Sequence, residues 1–140
     1  MTTQPTVIEY SADQPGRSGA AFWGGWIIGI LPCLLLIFSA AMKLAKPPAV
    51  VQGFKQFGYP EKLLLVLGII ELTCTILYLI PRTAVLGAIL LTGYLGGATA
   101  THARVLDPSF IMPVLCGVLL WLGLFLRDRR LRELLPLRKL

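Results

Sequence analysis

The sequence predicts an all-α fold in which four antiparallel helices form an integral membrane bundle, and three observations support this prediction. Hydrophobic residues make up 56% of the 140 residues and charged residues only 14%, whereas an average soluble domain is about 25% charged. Four apolar segments are each long enough to cross a bilayer. Connections that contain proline or a charged residue separate these segments, so that each segment reverses the direction of the previous one.

These segments divide the chain into three regions. Residues 1–20 are polar and contain two prolines and two glycines, which predicts a flexible cytoplasmic tail. Residues 21–126 form the predicted transmembrane domain. Residues 127–140 hold six basic and two acidic residues beside an apolar edge of leucines, which predicts a basic amphipathic cytoplasmic tail. The four spans are predicted near residues 22–43, 62–80, 83–102 and 109–126.

Small residues indicate where the helices approach each other closely. Gly25 and Gly29 are four residues apart in the first span, a spacing that allows close contact with a neighbouring helix. Pro32, in the same span, predicts a kink. Gly93 and Gly97 repeat the spacing in the third span, so we expect this helix to pack closely at the centre of the bundle.

The longest connection, residues 44–62, joins the first two spans. Its prolines end the first span, and the segment Ala49–Phe57 predicts a short amphipathic helix. Such a helix can lie on the membrane surface as a lid over the mouth of the bundle. Its apolar side would consist of Val50, Phe54 and Phe57.

The distribution of basic residues predicts the orientation of the chain. Four spans put both termini on one side of the membrane, and that side holds eight basic residues against five on the other side. The positive-inside rule then places both termini in the cytoplasm. Because the basic residues flank apolar segments, we expect contact with the bilayer and not with nucleic acid.

The polar residues of the spans converge on the outer mouth of the predicted bundle. Glu71 is the acid within the four spans and lies in the middle of the second one. Tyr94 lies at a depth from which its hydroxyl can reach Glu71. The predicted site is therefore a polar pocket that opens outward with a carboxylate at its floor. Its candidate ligand-binding residues are Lys43, Glu71, Tyr94, Thr101, His102 and Arg104.

Glu71 needs partners, because an acid at the centre of a bilayer costs about 2.5–3.5 kcal/mol. The cations of the mouth lie about 14 Å away along the helix axis, at about 1.5 Å per residue, which is too far for an ion pair unless Lys43 reaches downward. We therefore expect a neutral Glu71 that is hydrogen bonded by Tyr94 or by a threonine hydroxyl. Two roles stay open for Glu71: contact between helices only, or also binding of a ligand or a proton.

The other notable residues also have two interpretations each. His102 is either a structural residue at the interface or a contact for a quinone, a substrate or a metal. Lys43 and Arg104 are either interfacial anchors or ligand contacts. Three cysteines lie mid-span, and we expect them to be buried, reduced and inert, namely Cys33, Cys74 and Cys116.

Several classes of site find no support in the sequence. One histidine cannot provide two axial haem ligands, and no CxxC or CxxCH motif occurs. There is also no phosphate-binding loop and no dinucleotide-binding motif. We therefore expect no metal site and no evident cofactor, although a quinone is left open, and we do not expect the chain to be a catalyst alone.

The runs GFKQFGYPEK, LGIIEL and GYLGGATATHARVLDPSF resemble the DoxX-like family of small bacterial membrane proteins over roughly residues 25–125. The resemblance implies a four-helix protein of the bacterial inner membrane. It also implies Lys43, Glu71 and His102 as the polar positions of interest. The family takes its name from a quinone-linked thiosulfate-oxidising complex, and relatives are described as partners of redox or detoxifying enzymes.

Together these observations predict an accessory or quinone-associated membrane subunit that binds an apolar small molecule or a lipid in the bundle. Its partners would be the lipid bilayer, subunits of a redox enzyme and further copies of the chain. Two alternatives stay open. One is a small proton-coupled transporter that uses Glu71, and the other is a membrane interaction scaffold without a ligand.

Overall fold

The structure, a computed structural model, describes residues 19–134, so residues 1–18 of the predicted tail 1–20 and the end of the basic tail lie outside the described residues. All regular structure within the described part is helical. The helices are α1 (Gly19–Ala45), α2 (Pro48–Gln56), α3 (Lys62–Leu79), α4 (Ala84–Arg104), α5 (Ile111–Arg127) and α6 (Arg129–Leu134), with a 3₁₀ turn at Pro108–Phe110.

Four of these helices are long and apolar enough to cross a membrane: α1, α3, α4, and α5 together with the 3₁₀ turn before it. α1 packs against α3 and α5, and α4 packs against the same two helices from the opposite side. The four spans thus form a closed ring in the order α1, α3, α4, α5. The predicted all-α membrane bundle is confirmed.

Local sequence signals explain the ends of the helices. Pro48 occupies the first turn of α2, where its missing N–H costs nothing. Gly58 follows α2 with φ +79°, a left-handed conformation that favours glycine at the end of a helix. Thr83, in the turn between α3 and α4, donates a 2.8 Å hydrogen bond from its hydroxyl to the carbonyl of Leu77. The amphipathic helix expected over Ala49–Phe57 is thus observed as α2.

The closest helix contact joins α1 to α5 through glycines. A Cβ atom added to Gly123 would lie 2.7 Å from both Cα and N of Gly29, and one added to Gly25 would lie 2.8 Å from the carbonyl oxygen of Gly123. Real Cβ atoms do not approach that closely, so the backbones touch. The predicted close packing at Gly25 and Gly29 is confirmed, and its partner is Gly123.

The same prediction is wrong for Gly93 and Gly97 of α4. No heavy atom lies within 4 Å of a Cβ built on either residue. The space beside both glycines belongs to a cavity rather than to another helix. Glycine spacing alone does not create a contact, because the facing helix must also present a small residue at the same height.

Tyr78 fills the core where α1, α3, α4 and α5 meet. Its side chain is inaccessible to solvent, and its hydroxyl donates a 2.7 Å hydrogen bond to the carbonyl of Leu120 on α5. A Cβ on Gly87 of α4 would lie 2.3 Å from the backbone nitrogen of Tyr78, so α3 and α4 also touch here. This end of the bundle is tightly packed.

The outer surface of the ring consists of large apolar side chains. Trp23 is 67% exposed, Ile27 69% and Phe38 64%. Exposed apolar rows of this extent, on all four long helices, fit contact with lipid chains and not with water. The protein is therefore a multi-pass membrane protein whose outer surface contacts lipid.

A pair of glycine substitutions tests the packing. Gly123→Ala should destabilise the bundle by roughly 1–3 kcal/mol, because the new methyl group would push α1 away from α5. Gly93→Ala is the matched control: it adds the same methyl group in open space, and should be neutral or slightly stabilising, by up to about 1 kcal/mol, through better helix propensity. Thermal unfolding of both variants in detergent measures the difference. Equal melting temperatures would contradict the glycine contact.

Candidate functional site

A cavity of about 770 Å³ lies inside the ring at the end opposite the tight contact of α1 with α5. All four long helices contribute to its wall, and α2 covers it. The lining is mainly apolar, with polar groups from a small number of side chains. Those polar residues are Ser39, Lys43, Tyr59, Glu71, Tyr94, Thr101 and His102.

A buried ion pair forms one wall of the cavity. Nζ of Lys43 on α1 lies 2.8 Å from Oε2 of Glu71 on α3. The Glu71 side chain is 2% exposed and that of Lys43 is 13% exposed. Nζ also donates a hydrogen bond to the hydroxyl of Ser39, one turn earlier on α1. The ammonium group thus has two oxygen acceptors, and the two opposite charges compensate each other in an apolar environment.

Glu71 therefore has a charged partner, Lys43, whereas the sequence predicted hydroxyl groups as its close partners. Gly68, one turn before Glu71, explains the difference: a Cβ built on it would lie 3.2 Å from Cβ of Lys43. This glycine lets α1 approach α3, which places the Cβ atom of Lys43 beside Gly68. The lysine side chain therefore begins about one turn of α3 away from Glu71. The sequence estimate of about 14 Å assumed that Lys43 lies level with the start of α3.

Tyr94 and Thr101 approach the cavity from α4. Tyr94 is partly buried, and its hydroxyl lies near the Glu71 carboxylate. Thr101 forms a 2.7 Å hydrogen bond with the hydroxyl of Tyr59 and donates a 2.9 Å bond to the carbonyl of Gly97. Tyr59 is a residue that the sequence did not indicate, because this contact spans 42 positions.

His102 lies at the mouth of the cavity between two partners. Its Nδ1 is 2.9 Å from Oδ2 of Asp107, in the loop after α4. Its ring meets the ring of Phe57 edge to face, with centroids 4.8 Å apart. The backbone N–H of Ser109, together with His102, lowers the pKa of Asp107 to about 2, so this carboxylate is charged at any physiological pH. The loop thereby orients the imidazole ring.

Arg104 occupies a different place from the other candidate residues. It is exposed and does not contribute to the cavity lining. Its guanidinium donates a hydrogen bond to the carbonyl of Phe57, at the end of α2. Arg104 thus holds the covering helix, whereas the five other candidates, Lys43, Glu71, Tyr94, Thr101 and His102, line one cavity.

α2 closes the mouth with its apolar side. Val50, Phe54 and Phe57 line the cavity from above. No residue of α2 is buried, and Phe57, directly after it, contacts His102 and Arg104. An amphipathic helix held at one end can move as a unit, which makes α2 a candidate lid.

The remaining titratable groups give no metal site in the described residues. No three side chains of His, Cys, Asp or Glu come together there. Cys33, Cys74 and Cys116 are buried free thiols on three different helices. Cys116 also lines the cavity, a role that the sequence did not indicate.

The ion pair can be tested by a double-mutant cycle. Glu71→Gln should destabilise the protein by roughly 3–5 kcal/mol, because it leaves the Lys43 ammonium without a counter-charge. The double variant Lys43→Met/Glu71→Gln removes both charges and should recover most of that loss. Lys43→Met completes the cycle, and chemical unfolding in detergent gives the free energies of the natural chain and the three variants. If Glu71→Gln alone unfolds like the natural chain, the pair is not ionised.

Comparison with known proteins agrees with this architecture. The model of the DoxX-like family matches residues 27–123, which is more than half of the chain and includes every residue that lines the cavity. None of the curated proteins and none of the solved structures compared with the chain matches it significantly. The cavity and its ion pair lie in the matched region, as do the second and third spans and most of the first and fourth, and the chain belongs to the DoxX-like family.

Proposed function

We propose that this protein is an accessory membrane subunit that binds an amphiphilic small molecule, of the quinone or lipid class, in the cavity of the bundle. The observation that carries this proposal is the combination of an apolar cavity with a buried Lys43–Glu71 pair in its wall. A bundle used only as an interaction scaffold would have no need for either feature.

The size and lining of the cavity support a small-molecule ligand. Its volume of about 770 Å³ falls within the usual range of ligand pockets, about 300–1,000 Å³. Apolar side chains such as Leu36, Phe38 and Leu67 offer contact to a ring or a chain. The polar groups are confined to a few positions, as in sites where hydrogen bonds fix the orientation of an otherwise apolar ligand.

The polar wall fits a ligand that carries a carbonyl or hydroxyl group. Lys43 Nζ is a charged donor, the Tyr94 hydroxyl is both donor and acceptor, and Glu71 is an acceptor. A quinone carbonyl would accept hydrogen bonds from the first two groups. The corresponding hydroquinone would donate to the carboxylate of Glu71. The same groups would bind the glycerol or ester oxygens of a lipid.

The covering helix α2 supplies a route of access. Its apolar side faces the cavity, and its contacts concentrate at Phe57. A ligand that is dissolved in the membrane can reach the cavity when α2 lifts, without crossing water. In the proposed orientation this mouth faces the outside of the bacterial inner membrane, and both termini are cytoplasmic.

The proposal assigns binding to this chain and redox chemistry to a partner. The cavity offers donors, acceptors and a counter-ion for a bound quinone. In this proposal the bound quinone exchanges electrons with another subunit of a redox complex. Further copies of the chain could take part in the same assembly.

Identification of bound molecules tests the proposal directly. Protein purified in mild detergent should carry a quinone or a distinct lipid at up to one molecule per chain, as measured by extraction and mass spectrometry. Gly97→Leu should lower that occupancy at least tenfold, because the new side chain enters the cavity at a point with no neighbour within 4 Å.

Gly96→Leu is the matched control for this experiment. Gly96 also has open space around a Cβ, but it does not line the cavity, so the occupancy should not change. If both leucine variants retain the same molecules as the natural chain, those molecules are bound elsewhere. If the natural chain carries no quinone or distinct lipid, and binds none on addition, the proposed function is wrong.

One alternative, a proton-coupled transporter, is favoured by a specific observation. Glu71 and Lys43 form a buried pair that could exchange a proton as a substrate passes. Proteoliposomes with an imposed pH gradient test this function. A proton flux that requires the protein and that Lys43→Met/Glu71→Gln abolishes would favour transport over simple binding.

A further inference from the structure

A second cavity, of about 650 Å³, lies at the other end of the bundle. Its wall is formed by the start of α1, the turn between α3 and α4, and the segment from the end of α5 into α6. It therefore opens at the membrane surface opposite that of the first cavity. Three arginines line it, one from each of three places: Arg82 from the turn, Arg127 from α5 and Arg130 from α6. Phe22 and Trp26 add aromatic rings.

The charge of this second cavity is strongly positive. Asp128 is the one acid in its lining, and Oδ1 of that residue accepts a 2.9 Å hydrogen bond from the backbone N–H of Arg130. None of the three arginines forms an ion pair with a carboxylate of residues 19–132. Like charges that line one cavity repel each other unless an anion lies between them.

Arg127 is held in place before any ligand arrives. Its guanidinium lies 4.3 Å from the centroid of the Trp26 ring and 4.6 Å from that of Tyr78. Its Nη2 donates a 2.9 Å hydrogen bond to the carbonyl of Tyr78. Its Nη1 is buried and has no hydrogen bond partner among the described residues. An oxygen atom from a bound anion would satisfy this remaining donor.

We propose that the three arginines form a binding site for a phosphate group. The planar guanidinium matches two oxygens of a phosphate at once, and three such groups around one cavity favour an oxyanion over a neutral ligand. The aromatic residues place the site at the membrane–water interface, and Phe22 is 46% exposed there. The phosphate can therefore come from the headgroup of an anionic phospholipid or from a soluble phosphate compound.

Binding measurements distinguish the two sources. The full chain, in a neutral detergent, is titrated with short-chain phosphatidylglycerol, with short-chain phosphatidylcholine and with inorganic phosphate, and bound molecules are counted by native mass spectrometry. A lipid source predicts one tightly bound phosphatidylglycerol and much weaker phosphatidylcholine. A soluble source predicts that inorganic phosphate binds and displaces phosphatidylglycerol. Absence of both would overturn the proposal.

Substitutions in the wall of the site make the test specific. Arg82→Gln and Arg130→Gln should each weaken binding of the anion about tenfold, which is the usual loss for one charge-assisted hydrogen bond. Arg129→Gln is the matched control, because Arg129 is exposed, adjacent to Arg130, and absent from the lining. It should change binding less than twofold.

The control also separates a built site from general attraction between charges. If Arg129→Gln weakens binding as much as Arg130→Gln, the anion is held by the overall basic surface and the proposed site does not exist. Arg127 is left unchanged in these variants because its contacts with Tyr78 support the fold. The substituted arginines do not line the first cavity, so the outcome is independent of the proposed function.

Discussion

The contact between the backbones of Gly29 and Gly123 is the constraint on which the rest of the bundle depends. It brings α1 against α5 without intervening side chains, and this lets the Tyr78 hydroxyl reach the carbonyl of Leu120 from α3. Lipid-facing surfaces provide no hydrophobic driving force between helices, so such close van der Waals packing must hold them together. Gly93 and Gly97 of α4 meet no facing helix, and both line a cavity instead.

The ion pair then determines the character of that cavity. Gly68 lets α1 approach α3 beside Lys43, and the long lysine side chain extends to Glu71 rather than to the membrane surface. A buried pair contributes little net stability compared with apolar side chains of similar volume. Stability therefore does not account for the pair in a wall that also holds Tyr94, and the proposed function assigns it to ligand recognition.

The sequence predicted the spans and the covering helix well, because hydropathy, proline and glycine act locally along the chain. It could not distinguish Gly25 and Gly29, which pack, from Gly93 and Gly97, which do not, since the difference lies in the facing helix. It located five of the residues that line the cavity but gave Glu71 the wrong partner. The error arose because the rise per residue gives positions along one helix only. The relative height of two helices depends on their tertiary contacts.

Two basic residues that served to orient the chain in the membrane also have structural partners. Lys43 pairs with Glu71 near one surface, and Arg127 packs against Trp26 and Tyr78 near the other. Neither acts as a simple anchor to lipid headgroups. Omitting Lys43 and Arg127 removes one basic residue from each side of the membrane, so the excess on the side of the termini is unchanged. The predicted orientation therefore does not depend on these two cations. Arg82 and Arg130, two of the other arginines on the side of the termini, line the proposed phosphate site.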